Sequence, residues 1–334
     1  MLWQRSHHSH PTRFAAALGL ALLLAGPALQ AEEPPAPHAR VTQLRVLVLS
    51  TMLADRGIGE WGFAALVEAD GHRFLFDTGF RPDTVLTNAR ELGVDLSDVT
   101  DVILSHHHDD HTGGLLALRR ALQAKNPKAL SRAHVAPGMF WSRPQPKGPG
   151  ENNPMVAWRA EYEGTGGVFV EHTGPVELAP GVWLTGPVPR VHPERNWSGR
   201  GQVKSPRGLV EDNLPEDQSL VVDTNRGLVL VSGCGHAGMI NTLELARRVV
   251  RTAPLHAAIG GFHLLDADDR ALAWTGGKLR EFGIGHLIGA HCTGIEAVFR
   301  LRSAAGLDRG HCVVGAVGAS FTLDRGIDPL RLAH

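Results

Sequence analysis

The 334-residue sequence has almost no net charge: 33 Lys and Arg stand against 34 Asp and Glu, leaving −1 at pH 7. No field of one sign is available to draw in a nucleic acid or an anionic membrane, so neither is expected as a partner. Past the N-terminus, no stretch is apolar enough to cross a bilayer. Cysteine is scarce, with only Cys234, Cys292 and Cys312. An odd count leaves at least one thiol free, metal-bound or paired outside the chain. No internal repeat is visible. Nor is the chain poor in core-forming residues: 43% hydrophobic against 20% charged is ordinary globular composition, which argues against disorder.

What is present begins with a leader. Arg5 and Arg13 precede an apolar run over 15–26, and small Ala31 follows. This order reads as a secretory signal peptide over 1–31, and so predicts a periplasmic or secreted protein. A Pro-rich linker over 32–43 comes next, then a single domain over 44–334. Thirty-nine glycines and 21 prolines favour a layered α/β fold over a helical bundle. The pattern predicts a strand over 44–50 and a hairpin over 62–79 turning at Asp70-Gly71. A helix over 81–94, a strand over 99–105 and a helix over 114–124 follow. Residues 137–215 read as a loop-rich insertion around a short β segment, with Trp141, Trp158, Trp183 and Trp197 as candidate pocket walls, and His172 and His192 as candidates to face substrate. Beyond it the pattern predicts a hairpin over 218–233, a helix over 239–251, a strand over 255–264 ending in His263, and a helix with a glycine break over 268–283. A strand over 286–292, a helix capped by Thr293 and a final strand pair over 312–323 complete it. Both halves run from hairpins to βα units, which suggests a duplicated sandwich with two sheets inside and helices outside.

The chemistry concentrates in "SHHHDDHTGG", residues 105–114. It lies where a predicted strand meets a predicted helix, the place where open α/β sheets put their ligands. Alternation sends His106 and His108 to one side of the extended chain, and Asp110 and His111 follow after a turn. Neutral imidazole and carboxylate are ligands that Zn²⁺ and similar ions favour. Further histidines sit in Gly-flanked turns at later strand ends: His236 in "SGCGHAG", His263 in "GGFHL" and His291 in "GAHCTG". Glycine there lets the backbone bend sharply toward a shared centre.

These motifs resemble the metallo-β-lactamase fold superfamily. "HHHDDHTGG" is similar to its H-x-H-x-D-H signature, and "FLFDTG" to the strand and turn before it. "SGCGHAGMINTL", "GGFHL" and "GAHCTG" resemble the branch of dihydropterin synthase-like metal-dependent hydrolases. The resemblance implies an αββα sandwich, two mixed sheets flanked by helices, with one or two divalent ions at its edge. Zn²⁺ is the first candidate and Mn or Fe are the others. It implies His106, His108 and His236 around a first ion and Asp110, His111 and His291 around a second, with a hydroxide between them as nucleophile. Asp110 would orient that water or take its proton, Asp77 would steer a ligand histidine, and His263 would meet substrate or leaving group.

Two departures stand out. Cys234 occupies the turn where many such hydrolases have an Asp bridging both ions; it is a thiolate ligand, a neutral small residue, or half of a disulfide with Cys292. The segment before the 218–224 strand, "EDNLPEDQ", lacks the usual third histidine, which leaves that role to His236. The expected function is an exported metal-dependent hydrolase of a small-molecule ester, amide or phosphoester. The rivals are a transferase resembling the dihydropterin synthase and a non-catalytic metal-binding sensor domain.

Overall fold

The computed structural model describes residues 40–332 other than 146, 195 and 197–200. The expected leader, most of the linker and Trp197 lie outside the described residues.

Two sheets carry the molecule. The first has eight strands, in the order Gly326–Asp328, Ser320–Thr322, Leu44–Ser50, Ala64–Ala69, His72–Phe76, Asp101–Ile103, Arg132–Val135 and Val168–Glu171. The hairpin turns at Asp70 (φ 43°) and Gly71 (φ 86°), the left-handed pair that a two-residue β-turn needs. From His72–Phe76 onward the pairing is parallel. The second sheet has seven strands, in the order Cys312–Val314, His286–Gly289, Leu255–Gly260, Gly227–Ser232, Ser219–Thr224, Val182–Leu184 and Val176–Ala179. Its first four run parallel, so the turns after Ser232, Gly260 and Gly289 emerge at one end.

Strand alternation builds the layers. In Leu44–Ser50, Val46 and Val48 face the second sheet, packing with Leu220, Val229 and Ile259. Leu47 and Leu49 face outward under the helices Thr84–Glu91 and Leu115–Gln123. The second sheet repeats this, with Leu228 and Leu230 covered by the helices Met239–Val249, Asp269–Glu281 and Ile295–Ala305. Strands buried on both faces read as continuous apolar runs. Each large aliphatic side chain so buried contributes about 1.5–3 kcal/mol.

Several details differ from the sequence reading. Residues 137–215 hold a helix, Met155–Gly164, and a small hairpin of Gln202–Ser205 with Gly208–Glu211. Trp158 and Trp183 pack on the cores rather than wall a pocket. The Asp269–Glu281 helix is unbroken: a Cβ at Gly276 would stand 2.4 Å from the Ala304 Cβ, so the glycine serves close helix packing. Thr293 does not cap the next helix. Its hydroxyl donates to the Gly260 carbonyl and accepts from the Phe262 N–H, fastening two strand-end turns together. The last strands do not pair with each other, because Cys312–Val314 ends the second sheet and Ser320–Thr322 crosses to the first.

Candidate metal centre

The strand Asp101–Ile103 delivers Ser105 and the histidine turn to the edge where both sheets end. Asp77 fixes that turn. Its Oδ1 accepts from the Ser105 N–H at 2.7 Å, and its Oδ2 accepts from Ser105 Oγ at 2.8 Å and pairs with His111 Nδ1 at 2.7 Å. Gly233 lets the second sheet reach this knot, since a Cβ there would lie 2.2 Å from Ser105 Oγ. Because the Ser105 hydroxyl donates to Asp77, it accepts from His106 Nδ1 at 2.9 Å. His236 Nδ1 donates to the Asn196 carbonyl at 2.9 Å, since a carbonyl can only accept. The outer nitrogens of His106, His111 and His236 are thus occupied, and their inner nitrogens are left aimed inward.

The inner nitrogens converge. His106 Nε2 lies 3.0 Å from His108 Nδ1 and 3.2 Å from His236 Nε2. Zn–N bonds of 2.0–2.1 Å in a tetrahedron place ligand nitrogens about 3.3 Å apart, so the trio is spaced as ligands of one ion. Burial pulls the His106 and His236 pKa values well below the ordinary range, and neighbouring imidazoles add to this. Burial, with His107 next, takes His108 down to about 3. Neutral rings with lone pairs facing one another suit a cation better than a proton.

Beside the trio, Asp110, His111 and His291 form a second group whose ligand atoms all lie within 4.8 Å of one another. His291 Nε2 is 3.2 Å from Asp110 Oδ2, yet neither of its buried nitrogens makes a hydrogen bond of good geometry. Burial works against charge on His111, but the carboxylates of Asp110 and Asp77 outweigh it and raise its pKa to about 9. Burial also opposes charge on Asp110, and His111 and His291 overcome it, holding the carboxyl well below its usual range. The negative field that draws a proton onto His111 is the field a cation meets. Orphaned imidazole nitrogens, paired carboxylates and converging lone pairs all fit divalent metal.

Backbone strain gathers at the same place. Asp77 (φ 57°), His263 (φ 46°) and His291 (φ 46°) take left-handed backbone that costs non-glycine residues on the order of 1–3 kcal/mol. The His291 N–H is held by Thr51 Oγ1 at 3.0 Å. His263 lies at the rim, its ring 4.6 Å from that of His236. A cavity of about 590 Å³ opens beside it, lined by Asn196, Asp266, Arg270 and Trp274 among others. Cys234 Sγ stands 3.1 Å from His111 Nε2 and 3.1 Å from Cys292 Sγ, and both cysteines are free thiols.

Further residues support the histidine turns from outside the two ligand groups. His107 turns away from the trio onto Glu216 at 2.7 Å, and Arg143 pairs with Glu216 and Asp212 in a buried network. Asp217, from the segment without histidine, accepts from the Ala237 N–H at 2.8 Å and so braces the turn of His236. Burial raises the Asp217 carboxyl to about 7. Glu194 accepts from the Ile240 and Asn241 N–H groups, clamping the insertion to the helix after His236. In the sequence, Asp217 shows only as an acid just ahead of the apolar strand Ser219–Thr224. Of the two loop histidines, His172 pairs with His134 and His192 contacts Glu244 and Trp274.

Residues 62–191 match the metallo-beta-lactamase superfamily. The chain is 28% identical over 269 residues to 7,8-dihydropterin-6-methyl-4-(beta-D-ribofuranosyl)-aminobenzene-5'-phosphate synthase of Methanocaldococcus jannaschii, covering 77% of this chain and 90% of that protein. An uncharacterized protein of the same organism is 26% identical over 270 residues, covering 80% and 97%. A solved metal-dependent hydrolase of the beta-lactamase superfamily superposes with a TM-score of 0.64 at 29% identity, covering 78% of this chain and 93% of that one. Residues 62–191 are thus similar to a metallo-beta-lactamase superfamily domain, and the mixed sheets flanked by helices are consistent with the fold of that superfamily.

Proposed function

We propose that this protein is a metal-dependent hydrolase of a small-molecule ester, amide or phosphoester. The observation that carries the reading is the inward convergence of three imidazoles, His106, His108 and His236, beside a second ligand group of Asp110, His111 and His291. Divalent metal, with Zn²⁺ the first choice, supplies water activation near neutral pH and polarises the substrate oxygen. The chain's own residues do the rest. Asp110, whose side chain is 15% exposed, is the one carboxylate of the six placed to orient a water and take its proton. Asp77 fixes the tautomer and direction of His111. His263 faces substrate or leaving group across the adjoining cavity. Trp61, 45% exposed with its ring 4.8 Å from that of His291, offers an apolar wall at the mouth. The leader motif adds export to this reading.

A second reading is favoured by the likeness to the dihydropterin synthase, a protein named for joining rather than cleaving. One experiment separates them: metal content per chain in wild type and His291→Ala, followed by turnover on an ester, lactam and phosphoester panel with and without an aromatic amine. The hydrolase reading expects about two ions falling to about one, and turnover that needs only water. Turnover only with the amine establishes the transferase. Metal without turnover on any substrate favours a sensor, and a protein that binds no metal overturns the reading.

A further inference from the structure

We propose that the centre is a mixed imidazole–thiolate site, in which Cys234 is a ligand shared by both metal positions and Cys292 a ligand of the second. This rests on the metal-centre reading above and goes beyond it in the ligand set. The geometry that carries it is the place of one sulfur. Cys234 Sγ groups with His106 and His111, with His236 and His263, and with His291 and Cys292; within each trio all ligand atoms lie within 4.8 Å of one another. No other residue of the centre belongs to three such groups, among the described residues. Cys234 is thus the common vertex of the two ligand sets.

The surroundings are wrong for a merely structural thiol. A buried free cysteine ordinarily packs as a small hydrophobe. Cys312 does so, with its sulfur in the outer core and only a long contact to the Val298 carbonyl. Cys234 and Cys292 are 2% and 1% exposed, and polar groups surround them. The Cys234 sulfur meets His111 Nε2 at 3.1 Å, and the Cys292 sulfur accepts from the His263 N–H at 3.3 Å. Orphaned nitrogens of His291 and His263 lie in the same pocket. The turn after Gly227–Ser232 puts Cys234 there, and its sulfur carries as a thiolate the single negative charge of a carboxylate. On binding, each thiol gives up its proton to solvent as the sulfur–metal bond forms, with no change of oxidation state. Thiolate selects Zn²⁺ and other ions with affinity for sulfur over Mg²⁺, Ca²⁺ and Mn²⁺. Two sulfurs therefore narrow the choice that imidazole and carboxylate leave open.

The test is Co²⁺ substitution of the full chain, reading ions bound per chain and the near-ultraviolet band of thiolate-to-cobalt charge transfer. It is run on wild type, Cys234→Ser, Cys292→Ser and the control Cys312→Ser. Wild type and Cys312→Ser are expected to show the band. Cys292→Ser is expected to lose part of it. Cys234→Ser is expected to lose most of it, with metal affinity falling by more than the roughly 10–100-fold that loss of a supporting partner costs. Wild type that binds no metal overturns the metal-centre reading itself. Metal bound without the band, or a band unchanged in Cys234→Ser, overturns only the thiolate assignment. Should a variant fail to fold, X-ray absorption of zinc-loaded wild type decides. A sulfur shell at about 2.3 Å is expected, and a shell of nitrogen and oxygen alone overturns the proposal.

Discussion

One histidine cluster lies along the first sheet's strands and another where both sheets end, and they are solved in opposite ways. On the strands Asp101–Ile103 and Arg132–Val135, the Asp101 carboxylate takes Arg132 through two bonds, at 2.7 and 2.6 Å, and His134 Nε2 at 2.9 Å. His134 Nδ1 then meets His172 Nε2 at 2.9 Å. Negative charge is answered by a guanidinium, and every ring nitrogen of His134 has a partner. At the sheet edge, the ion-pair partners of Asp77 and Asp110 are histidines alone among the described residues, and three imidazole nitrogens point at one another. The first cluster is electrostatically closed. In the second, the described ion-pair partners of the carboxylates are histidines alone, and no guanidinium or ammonium stands among them. Beyond the number of histidines, what separates the two is whether the fold supplies the counter-charge.

The largest expected effect breaks this contrast directly. His106→Ala removes a nitrogen from the convergent trio and is expected to abolish retention of the first ion, while His134→Ala leaves metal content unchanged. His134→Ala is instead expected to cost about 1–3 kcal/mol of stability, because it strips a hydrogen bond from a buried carboxylate. Metal analysis and denaturant unfolding on both variants check this, and equal metal loss in the two removes the distinction. A smaller effect sharpens it. Asp77→Asn keeps the shape of the residue that holds His111 but loses its charge, and metal affinity is expected to fall roughly 10–100-fold. Asp101→Asn is the matched control, a buried carboxylate equally bonded to histidine, and is expected to leave affinity where it was. Competition against a chelator measures both.

Much of the sheet-edge cluster was legible because its signal is local. His106, His108, Asp110 and His111 lie within six residues, and the strand-then-helix pattern placed their turn. His236, His263 and His291 were found because each sits in a glycine-flanked turn at a strand end, and parallel pairing of those strands brings the turns together. What escaped is what depends on long-range packing. Asn196 meets His236 from 40 residues away, and Arg143 meets Glu216 from 73. No periodicity encodes such meetings. The Gly276-Gly277 pair was misread for the same reason: low helix propensity suggests a break, whereas close approach to Ala304 demands a residue without Cβ. The helix Met155–Gly164 did carry a start signal, Pro154 at its head and Asn153 Oδ1 accepting from the Met155 N–H at 3.0 Å, but it lies among the prolines and glycines of a loop-like stretch.

The smallest effect concerns acid. Burial disfavours charge on Asp101, but His134 and Arg132 outweigh it and hold the carboxyl well below its usual range. A carboxyl whose pKa is lower in the folded than in the unfolded chain stabilises the fold above its unfolded value, about 3.9. That contribution is lost as pH falls below this value toward the folded one. Metal-free protein isolates the effect, because protons also compete with an ion for imidazole and carboxylate at the sheet edge. Unfolding free energy, measured by denaturant from about pH 6 down to about pH 3, is expected to fall more steeply in wild type than in Asp101→Asn, by about 1–2 kcal/mol over that span. Matching slopes would mean that Asp101 is not held by its partners, and the claim that this cluster is closed by its own charges would fail with it.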